Sequence, residues 1–191
     1  MTGPKRILVT GSRQWSQTNA APELIARRRQ RVKDALEAAL TMLCPSTDGF
    51  VLVHGAADGL DSLAESVAKE DFSLATEAHP ADWRPGGRFD PTAGFTRNQR
   101  MVDLGADLCL GFPLHPEHAT GKNTSRGTWH CIHRASQAPV PTLVVWMDQM
   151  FSANELGRQL LTDSAQRIGD QPRATDDGHL VVDVSRLVIP F

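Results

Sequence analysis

The chain has 191 residues, of which 40% are hydrophobic and 22% charged, the composition of an ordinary soluble globular domain. Its 20 basic and 22 acidic side chains give a formal charge of −2, so the overall charge does not favour binding to nucleic acid or a membrane surface. No apolar run approaches the ~20 residues of a membrane span, and residues 1–6 do not resemble a signal peptide. Three widely spaced cysteines without a Cys-x-x-Cys pair indicate reduced thiols, so we expect a cytoplasmic protein.

The first part of the chain predicts a strand, a loop and a helix. Lys5–Thr10 is a short β-branched strand that runs into Gly11–Arg13, a common phosphate site because small residues expose backbone N–H groups. Residues 17–22 are expected to form a loop, and the apolar positions from Ile25 to Leu43 have the period of an amphipathic helix. Five cations between residues 27 and 33 lie on its other face. They indicate either a solvated surface, which we favour, or a nucleic-acid patch.

A second unit joins the predicted strand Phe50–Val53 to a helical pattern over Leu60–Ala68 through the glycine-bearing turn His54–Gly59. Glycines let the backbone approach a ligand closely, and the first N–H groups of a helix carry a partial positive charge. The turn is therefore a candidate site for a phosphate or a carboxylate. The alternative is an ordinary turn whose glycines serve packing, with Asp58 or Asp61 capping the helix.

The same alternation continues to residue 146. Strands are predicted at Ser73–His79, Asp107–Phe112 and Pro141–Trp146, and helices at Phe95–Leu104 and from Gly127 onwards. Residues 84–93, rich in glycine and proline, and the polar residues 115–126 are predicted loops. This alternation predicts an α/β fold, a Rossmann-like doubly wound parallel sheet of about five strands with helices on both faces.

We assign residues 1–147 to this Rossmann-like domain and residues 148–191 to a C-terminal extension of the same domain. In the extension, Ala153–Leu161 predicts a helix, residues 162–178 a loose polar segment, and Leu180–Val188 one or two strands. The extension either adds to the edge of the sheet or serves as an oligomerisation arm.

In a doubly wound sheet, ligands bind beyond the carboxyl ends of the strands. Arginine forks grip phosphate, tryptophan (Trp15 or Trp83) stacks on a base, and aspartate binds hydroxyls or acts as a base. This set of residue types predicts a nucleotide or a phosphoribosyl compound as the ligand. The candidate ligand-binding residues at these ends are Gly11, Ser12, Arg13, His54, Gly55, Asp58, Gly59, Trp83, Asn98, Gly127 and Thr128.

Two histidine pairs, His115 with His118 and His130 with His133, have a spacing that can place both rings on one helix face. No carboxylate or cysteine completes either pair at the usual ligand spacing, so we expect no metal and no cofactor. Cys131 is expected to be a small buried hydrophobe rather than a nucleophile.

Six segments follow one another in a characteristic order: VTGSRQW, VHGAADGLDSLAESVA, HPADW, AGFTRNQRM, GADLCLGFP and SRGTWHCIHRA. Together they resemble the YspA-like branch of the SLOG superfamily, from about Ile7 to Val145. The resemblance implies a Rossmann-like fold whose members are thought to bind nucleotide-derived ligands. Relatives of this kind occur in bacteria, phages and mobile elements.

One better understood relative is the LOG-type phosphoribohydrolase, which releases a base from a nucleoside monophosphate and carries the stretches MHxRK and PGGxGTxxE. AGFTRN resembles the first, which would place Arg97 against phosphate or ribose, with Asn98 where the family has lysine. SRGT resembles the second and adds Ser125 and Arg126 to the candidate ligand-binding residues. Ser125 stands where a glycine is usual, and Cys131 where the family has glutamate.

The loss of that glutamate bears on catalysis, because an oxocarbenium-like transition state needs a nearby anion. Asp82 and Asp61 are the candidate replacements. The resemblance therefore implies Arg97, Asp82 and Asp61 as candidate catalytic residues of an N-glycosidic hydrolase. The alternative is a non-catalytic module that senses a nucleotide signal.

The other relative is DNA-processing protein A, since HGAADGLDSLA resembles its GxARGxD helix start and RNQRM its RN segment. It implies a binder of single-stranded DNA, a class that normally shows a basic groove and stacking aromatics. The charge of −2 argues against this class. We therefore expect a small nucleotide as partner, and neither nucleic acid nor a membrane.

We also expect a homodimer, since closed two-fold dimers are the commonest soluble assembly and LOG-type relatives build their site beside such an interface. Trp129, the apolar run Leu187–Phe191 and the loop 115–126 are the features that fit. The alternative folds the tail onto its own sheet edge and leaves Trp129 in the core.

Overall fold

The computed structural model of the chain describes residues 3–16, 20–43, 48–114 and 125–187. The strands in these ranges are β1 (Lys5–Gly11), β2 (Phe50–His54), β3 (Ala75–Ala78), β4 (Leu108–Phe112), β5 (Thr142–Trp146), β6 (Gln149–Ser152), β7 (Arg173–Ala174) and β8 (Leu180–Asp183). The α-helices are α1 (Pro22–Leu43), α2 (Leu60–Phe72), α3 (Ala93–Asp103), α4 (Arg126–Gln137), α5 (Glu155–Arg167) and α6 (Val184–Leu187).

The strands form one sheet in the order β3-β2-β1-β4-β5-β6-β8-β7. The first five are parallel, with Leu8 of β1 paired to Val53 on one side and to Cys109 on the other. The chain leaves β1 toward β2 and β3 and then crosses back to β4, so the strand order reverses between β1 and β4. The predicted α/β fold with a parallel core of about five strands is confirmed, and such a reversal opens a crevice at the carboxyl edge.

Helices cover both faces of the sheet. Because side chains alternate along a strand, Ile7 and Val9 lie in the core beneath α1, α2, α5 and α6, whereas Leu8 packs with the residues of α3 and α4. Strands buried on both faces are nearly continuous apolar runs. This is why they were recognisable in the sequence.

The C-terminal extension continues the same sheet. Strands β6, β8 and β7 add to β5 in antiparallel pairs. Met150, Leu161, Val182 and Leu187 are buried in the core that also contains Ile7. The described part of the extension is thus an addition to the sheet edge.

The extension differs from the prediction in several details, and its short strands β6 and β7 were not predicted. Helix α5 continues beyond Leu161 into the segment expected to be loose, because Ala165 repeats the spacing of Leu161 and is buried with it. After β8 the chain forms a helical turn instead of a second strand, where the Asp183 carboxylate accepts the N–H of Ser185 (3.0 Å).

Several predicted features lie outside the described residues. They are Cys44, the histidine pair His115 and His118, residues 17–19 and 115–124 of the two predicted loops, and the last four residues of the apolar run that ends at Phe191. In the part of the chain that the structure does describe, no helix is long and apolar enough to cross a membrane.

Candidate functional site

A cavity of about 340 Å³ opens at the carboxyl ends of β1 and β4. We call it the arginine pocket, after Arg13, Arg97 and Arg126 in its lining. Five candidate residues do not line it: His54, Gly55, Asp58, Gly59 and Asp82. Eleven of the sixteen do: Gly11, Ser12, Arg13, Asp61, Trp83, Arg97, Asn98, Ser125, Arg126, Gly127 and Thr128.

The turn between β2 and α2 uses its glycines for packing. A Cβ at Gly55 would collide with the guanidinium of Arg97, and a Cβ at Gly59 would collide with the backbone of Arg13. Gly59 also has φ 97°, a conformation that L side chains rarely adopt. These two glycines therefore leave room for the Arg97 guanidinium and for the backbone of Arg13, and in this turn only Ala57 faces the cavity.

His54 stabilises this turn through a hydrogen bond to its backbone. Its side chain is 1% exposed, and Nδ1 accepts the N–H of Ala56 at 3.2 Å. Burial lowers the pKa of His54, against the opposing effect of Glu65. His54 is thus a neutral ring that fixes the turn, while Asp58 is exposed on the outer side of it.

Arg97 and Asn98, both on α3, connect this helix to the ends of β2 and β3 and to α4. Nη1 of Arg97 donates to the carbonyl oxygens of Gly55 and His79, and Nε donates to Oδ1 of Asn98 (2.9 Å). Asn98, 3% exposed, donates from Nδ2 to the carbonyl oxygen of Gly127 (2.9 Å). Burial lowers the pKa of Arg97. These two side chains therefore use most of their hydrogen bonds to connect the elements that form the pocket.

Arg13 and Arg126 are exposed and line the cavity. Arg126 begins α4, whose N-cap residue Ser125 makes no capping bond; its hydroxyl instead accepts the N–H of Leu114 (3.2 Å). A Cβ added at Gly127 would meet nothing within 4 Å. The start of α4 is thus an open, positively polarised helix end beside two arginine side chains, an arrangement that suits an anion.

Among the described residues, Asp61 is the one carboxylate that lines the pocket. It is 5% exposed, and Oδ2 accepts the N–H of Ala57 at 3.2 Å. Burial raises the pKa of Asp61 to about 6, although the Ala57 N–H and the guanidinium of Arg97 act in the opposite direction. With Asp61 ionised, the three arginines and one carboxylate give the lining a formal charge of +2.

The other candidate carboxylate and the two tryptophans occupy different places. Asp82 is exposed, and its carboxylate accepts the N–H of Arg84 (3.1 Å). Trp15 is buried in the core with its ring edge-on to Phe112, 5.5 Å between centroids. Trp83 lines the pocket, with Cζ of Arg13 5.7 Å from its ring centroid. Of the two tryptophans, Trp83 is therefore the one placed to stack on a ligand.

Cys131 is buried beneath the pocket and does not line it. The thiol of Cys109 donates toward its sulfur, and this contact lowers the pKa of Cys131 and raises that of Cys109 well above the usual value. Hydrogen bonding from Thr10 and the charge of Arg97 also lower the pKa of Cys131. The expected role as a small buried residue agrees with this placement.

Six residues that were not predicted as candidates also line the pocket: Thr10, Gln14, Ala57, Pro91, Gly94 and Phe95. Thr10, Gln14 and Ala57 are immediate neighbours of candidate residues in the sequence. Their position next to a candidate is the one sequence feature that could have predicted them as pocket residues. The other three bring the start of α3 into the pocket. The helix begins at Ala93, two residues earlier than its apolar pattern predicted.

Of the five cations at residues 27–33 of α1, Arg29 and Lys33 pair with acidic side chains of α2, and Arg31 lies 3.6 Å from the carboxylate of Asp148. Arg29 contacts Glu70 (3.0 Å) and Asp71 (2.5 Å), and Lys33 contacts Asp71 at 3.1 Å. A surface neutralised in this way offers little attraction for phosphate backbones, which supports the expectation that this helix face is a solvated surface.

The histidine pair on α4 is divided between two surroundings. The ring of His130 packs on Phe95 (4.6 Å between centroids), whereas His133 lines a separate groove with Trp129. Within the described ranges, no group of three or more histidine, cysteine, aspartate or glutamate side chains is arranged to hold a metal ion.

Comparison with known proteins identifies the family of the chain. The profile of the "YspA, cpYpsA-related SLOG family" matches residues 5–86. The Gene 61 protein of Mycobacterium phage D29 is 38% identical over 143 residues, which is 73% of this chain and 94% of the phage protein. The chain belongs to the YspA and cpYpsA-related SLOG family. No solved structure matches it significantly.

Membership of this SLOG family implies a nucleotide-binding role and leaves the ligand open. The profile match runs from β1 to the short turn at Pro85–Gly87 and so includes Arg13, Asp61 and Trp83. Arg97 and Arg126 lie beyond it, on the helices that complete the pocket.

Proposed function

We propose that this SLOG protein binds a nucleotide-derived ligand, a nucleoside monophosphate or an ADP-ribose- or NAD-like compound, and hydrolyses its N-glycosidic bond. One observation carries the proposal: three arginines, an uncapped helix start and a single buried carboxylate converge in one cavity. The cationic part suits phosphate, and the carboxylate suits the bond between ribose and base.

Binding would begin with the phosphate. Arg13 and Arg126 have exposed guanidinium groups beside the open start of α4, and a guanidinium binds phosphate oxygens through two parallel N–H donors. Trp83 offers a ring face for a base or ribose at the same rim. Arg97 would act mainly by holding the pocket together, since it donates to two backbone carbonyls.

Catalysis would depend on Asp61 rather than Asp82. Asp61 lines the cavity, whereas Asp82 is exposed outside it. As a carboxylate, Asp61 would stabilise the positive charge that develops on the ribose as the C–N bond breaks and the base leaves with the electron pair. It would then accept a proton from the water that attacks the anomeric carbon. A pKa of about 6 leaves it ionised at neutral pH and suits proton transfer.

A non-catalytic sensor is the second candidate function, and a specific contact favours it. The Asp61 carboxylate already accepts the Ala57 N–H and closes the turn before α2. A carboxylate held in this way has a structural use that requires no chemistry.

Thermal shift with AMP, ADP-ribose and NAD tests the binding. A ligand that binds only the native state raises the melting temperature, and the Arg13→Ala and Arg126→Ala variants should each weaken binding about 10- to 100-fold, since a charged hydrogen bond contributes about 1.5–3 kcal/mol. Arg173→Ala, on the exposed edge strand β7, is the matched control and should bind like wild type. The absence of any shift with all three ligands would contradict the binding proposal.

Chromatographic detection of released base separates enzyme from sensor. For the enzyme we expect release by wild type, binding without release by Asp61→Asn, and full activity in Asp82→Asn. Tight binding with no release at high protein concentration would identify the sensor.

A further inference from the structure

At the rim of the arginine pocket lies a pair of aromatic rings, Trp83 and Phe89, of which only Trp83 lines the cavity. Phe89 is 64% exposed, and its ring lies 6.3 Å from that of Trp83, with 13° between the planes. Trp83 itself is 37% exposed. We call this pair the aromatic shelf. Phe89 is the most exposed large hydrophobic side chain of the described residues, and with the neighbouring Trp83 ring it forms an exposed aromatic surface.

The loop that carries the shelf is well ordered by its own contacts. The N–H of Asp90 donates to the carbonyl oxygen of Trp83 (3.0 Å), which ties the two ends of the loop together. At its tip, Gly86 and Gly87 adopt positive φ angles of 61° and 86°. A Cβ at Gly94 would lie only 3.2 Å from the Trp83 ring, so that ring rests on the start of α3. The shelf therefore has a defined position before any ligand arrives.

The shelf is continuous with the pocket. Trp83 is a member of both, and the guanidinium of Arg13 lies 5.7 Å from its ring centroid. Phe89 stands on the outer side and does not line the cavity. A ligand whose phosphates are bound near Arg13 would therefore reach the shelf with any aromatic group attached to the far side of those phosphates.

We propose that the aromatic shelf is a stacking subsite for the second base of a dinucleotide, a compound in which two nucleosides are joined by a pyrophosphate. This inference rests on the proposed binding function and specifies its ligand class. The cavity of about 340 Å³ is at the small end of ligand pockets, a size that suits one nucleoside unit. The pyrophosphate lies at Arg13 and Arg126, and the second base lies against Phe89.

Charge distinguishes this ligand from single-stranded DNA, which also stacks on aromatic rings beside cations. The shelf loop carries two arginines and two aspartates, Arg84, Arg88, Asp82 and Asp90, and so adds no net charge. Three of the five cations at residues 27–33 of α1, Arg29, Arg31 and Lys33, are paired with carboxylates. Three arginines of the described residues converge on the pocket, as a pyrophosphate requires. The neutral shelf loop beyond it does not extend this charge into a groove of the kind that a nucleic-acid backbone requires.

Calorimetric titration with four probes tests the subsite: AMP, ADP-ribose, diadenosine diphosphate and an eight-residue oligothymidine. ADP-ribose and diadenosine diphosphate differ by one base, the group that the shelf would bind. Loss of one base–aromatic stack costs about 5- to 150-fold in affinity. Wild type should therefore bind diadenosine diphosphate more tightly than ADP-ribose by a factor in this range.

The Phe89→Ala variant gives the decisive comparison, because Phe89 lies outside the pocket and is exposed, so truncating it removes no side chain from the core. It should bind diadenosine diphosphate no better than ADP-ribose while its affinity for AMP stays unchanged. Leu104→Ala, at another exposed apolar position, is the control and should behave as wild type. Equal wild-type affinity for the two compounds, or tightest binding of the oligothymidine, would overturn the subsite alone. Failure of all four probes to bind would overturn the proposed function with it.

Discussion

At the scale of single residues, Asp61 has the most consequential surroundings. Its carboxyl group is buried in the first turn of α2, and burial raises its pKa to about 6 from the ordinary value of 3.8. The folded state therefore binds this proton more tightly than the unfolded state does. The stabilisation that results is complete below pH 3.8 and is lost as the pH rises toward 6.

Asp61→Asn should therefore be more stable than wild type above pH 6, by up to about 3 kcal/mol, and this advantage should shrink toward pH 4. The amide keeps an oxygen that can accept the Ala57 N–H. Urea denaturation at several pH values from 4 to 8 measures the difference in the free energy of unfolding. Asp58→Asn, exposed on the same turn, is the control and should keep the pH dependence of wild type. A difference that is constant across this range would contradict the burial argument.

At the scale of elements, two glycine-bearing segments at the sheet edge have opposite uses. The turn before α2 brings Gly59 against the backbone of Arg13, whereas Gly127 in the first turn of α4 has open space where a side chain would be. The first glycine therefore serves the fold, and the second leaves room beside a helix start.

This contrast predicts opposite effects of the same substitution. Gly59→Ala combines a steric collision with an unfavourable φ, so it should destabilise the fold by at least about 1–3 kcal/mol, seen as a fall of several degrees in melting temperature. Gly127→Ala should be neutral or stabilise α4 by up to about 1 kcal/mol. Its new methyl group at the helix start should nevertheless weaken binding of phosphate ligands. A stable Gly59→Ala protein would show that the turn can relax, contrary to the packing found here.

At the scale of the whole molecule, the C-terminal extension belongs to the same core as the parallel strands. Met150 and Val182 are buried with Ile7, and β6 pairs directly with β5. Trp129 is half-buried in a groove of about 500 Å³ between α4 and the C-terminal strands. The described part of the extension thus completes the core and the sheet edge of its own chain.

We predict a homodimer on the frequency of two-fold assemblies and on the resemblance to LOG-type enzymes. Light scattering at micromolar concentration should then give about twice the chain mass of 20.9 kDa. The measurement is repeated with ADP-ribose, since a ligand can favour one assembly. A mass near that of one chain, with and without ligand, would contradict the prediction.

The sequence by itself determined the alternation of strands and helices and the edge at which candidate residues collect. Apolar runs and helical spacing are local patterns, and parallel strands with helical crossovers bring their carboxyl ends to one edge. Arg13, Trp83 and Arg126 could therefore be assigned to one region although they are far apart in the chain.

Only the tertiary structure decided which residues at that edge face the cavity. Gly55 looked suited to a phosphate, but the space beside it is filled by Arg97, 42 residues further along the chain. Asp61 and Asp82 were equivalent candidates until packing buried the first and left the second exposed. Occupancy of space and burial depend on long-range contacts, which local patterns of residues do not encode.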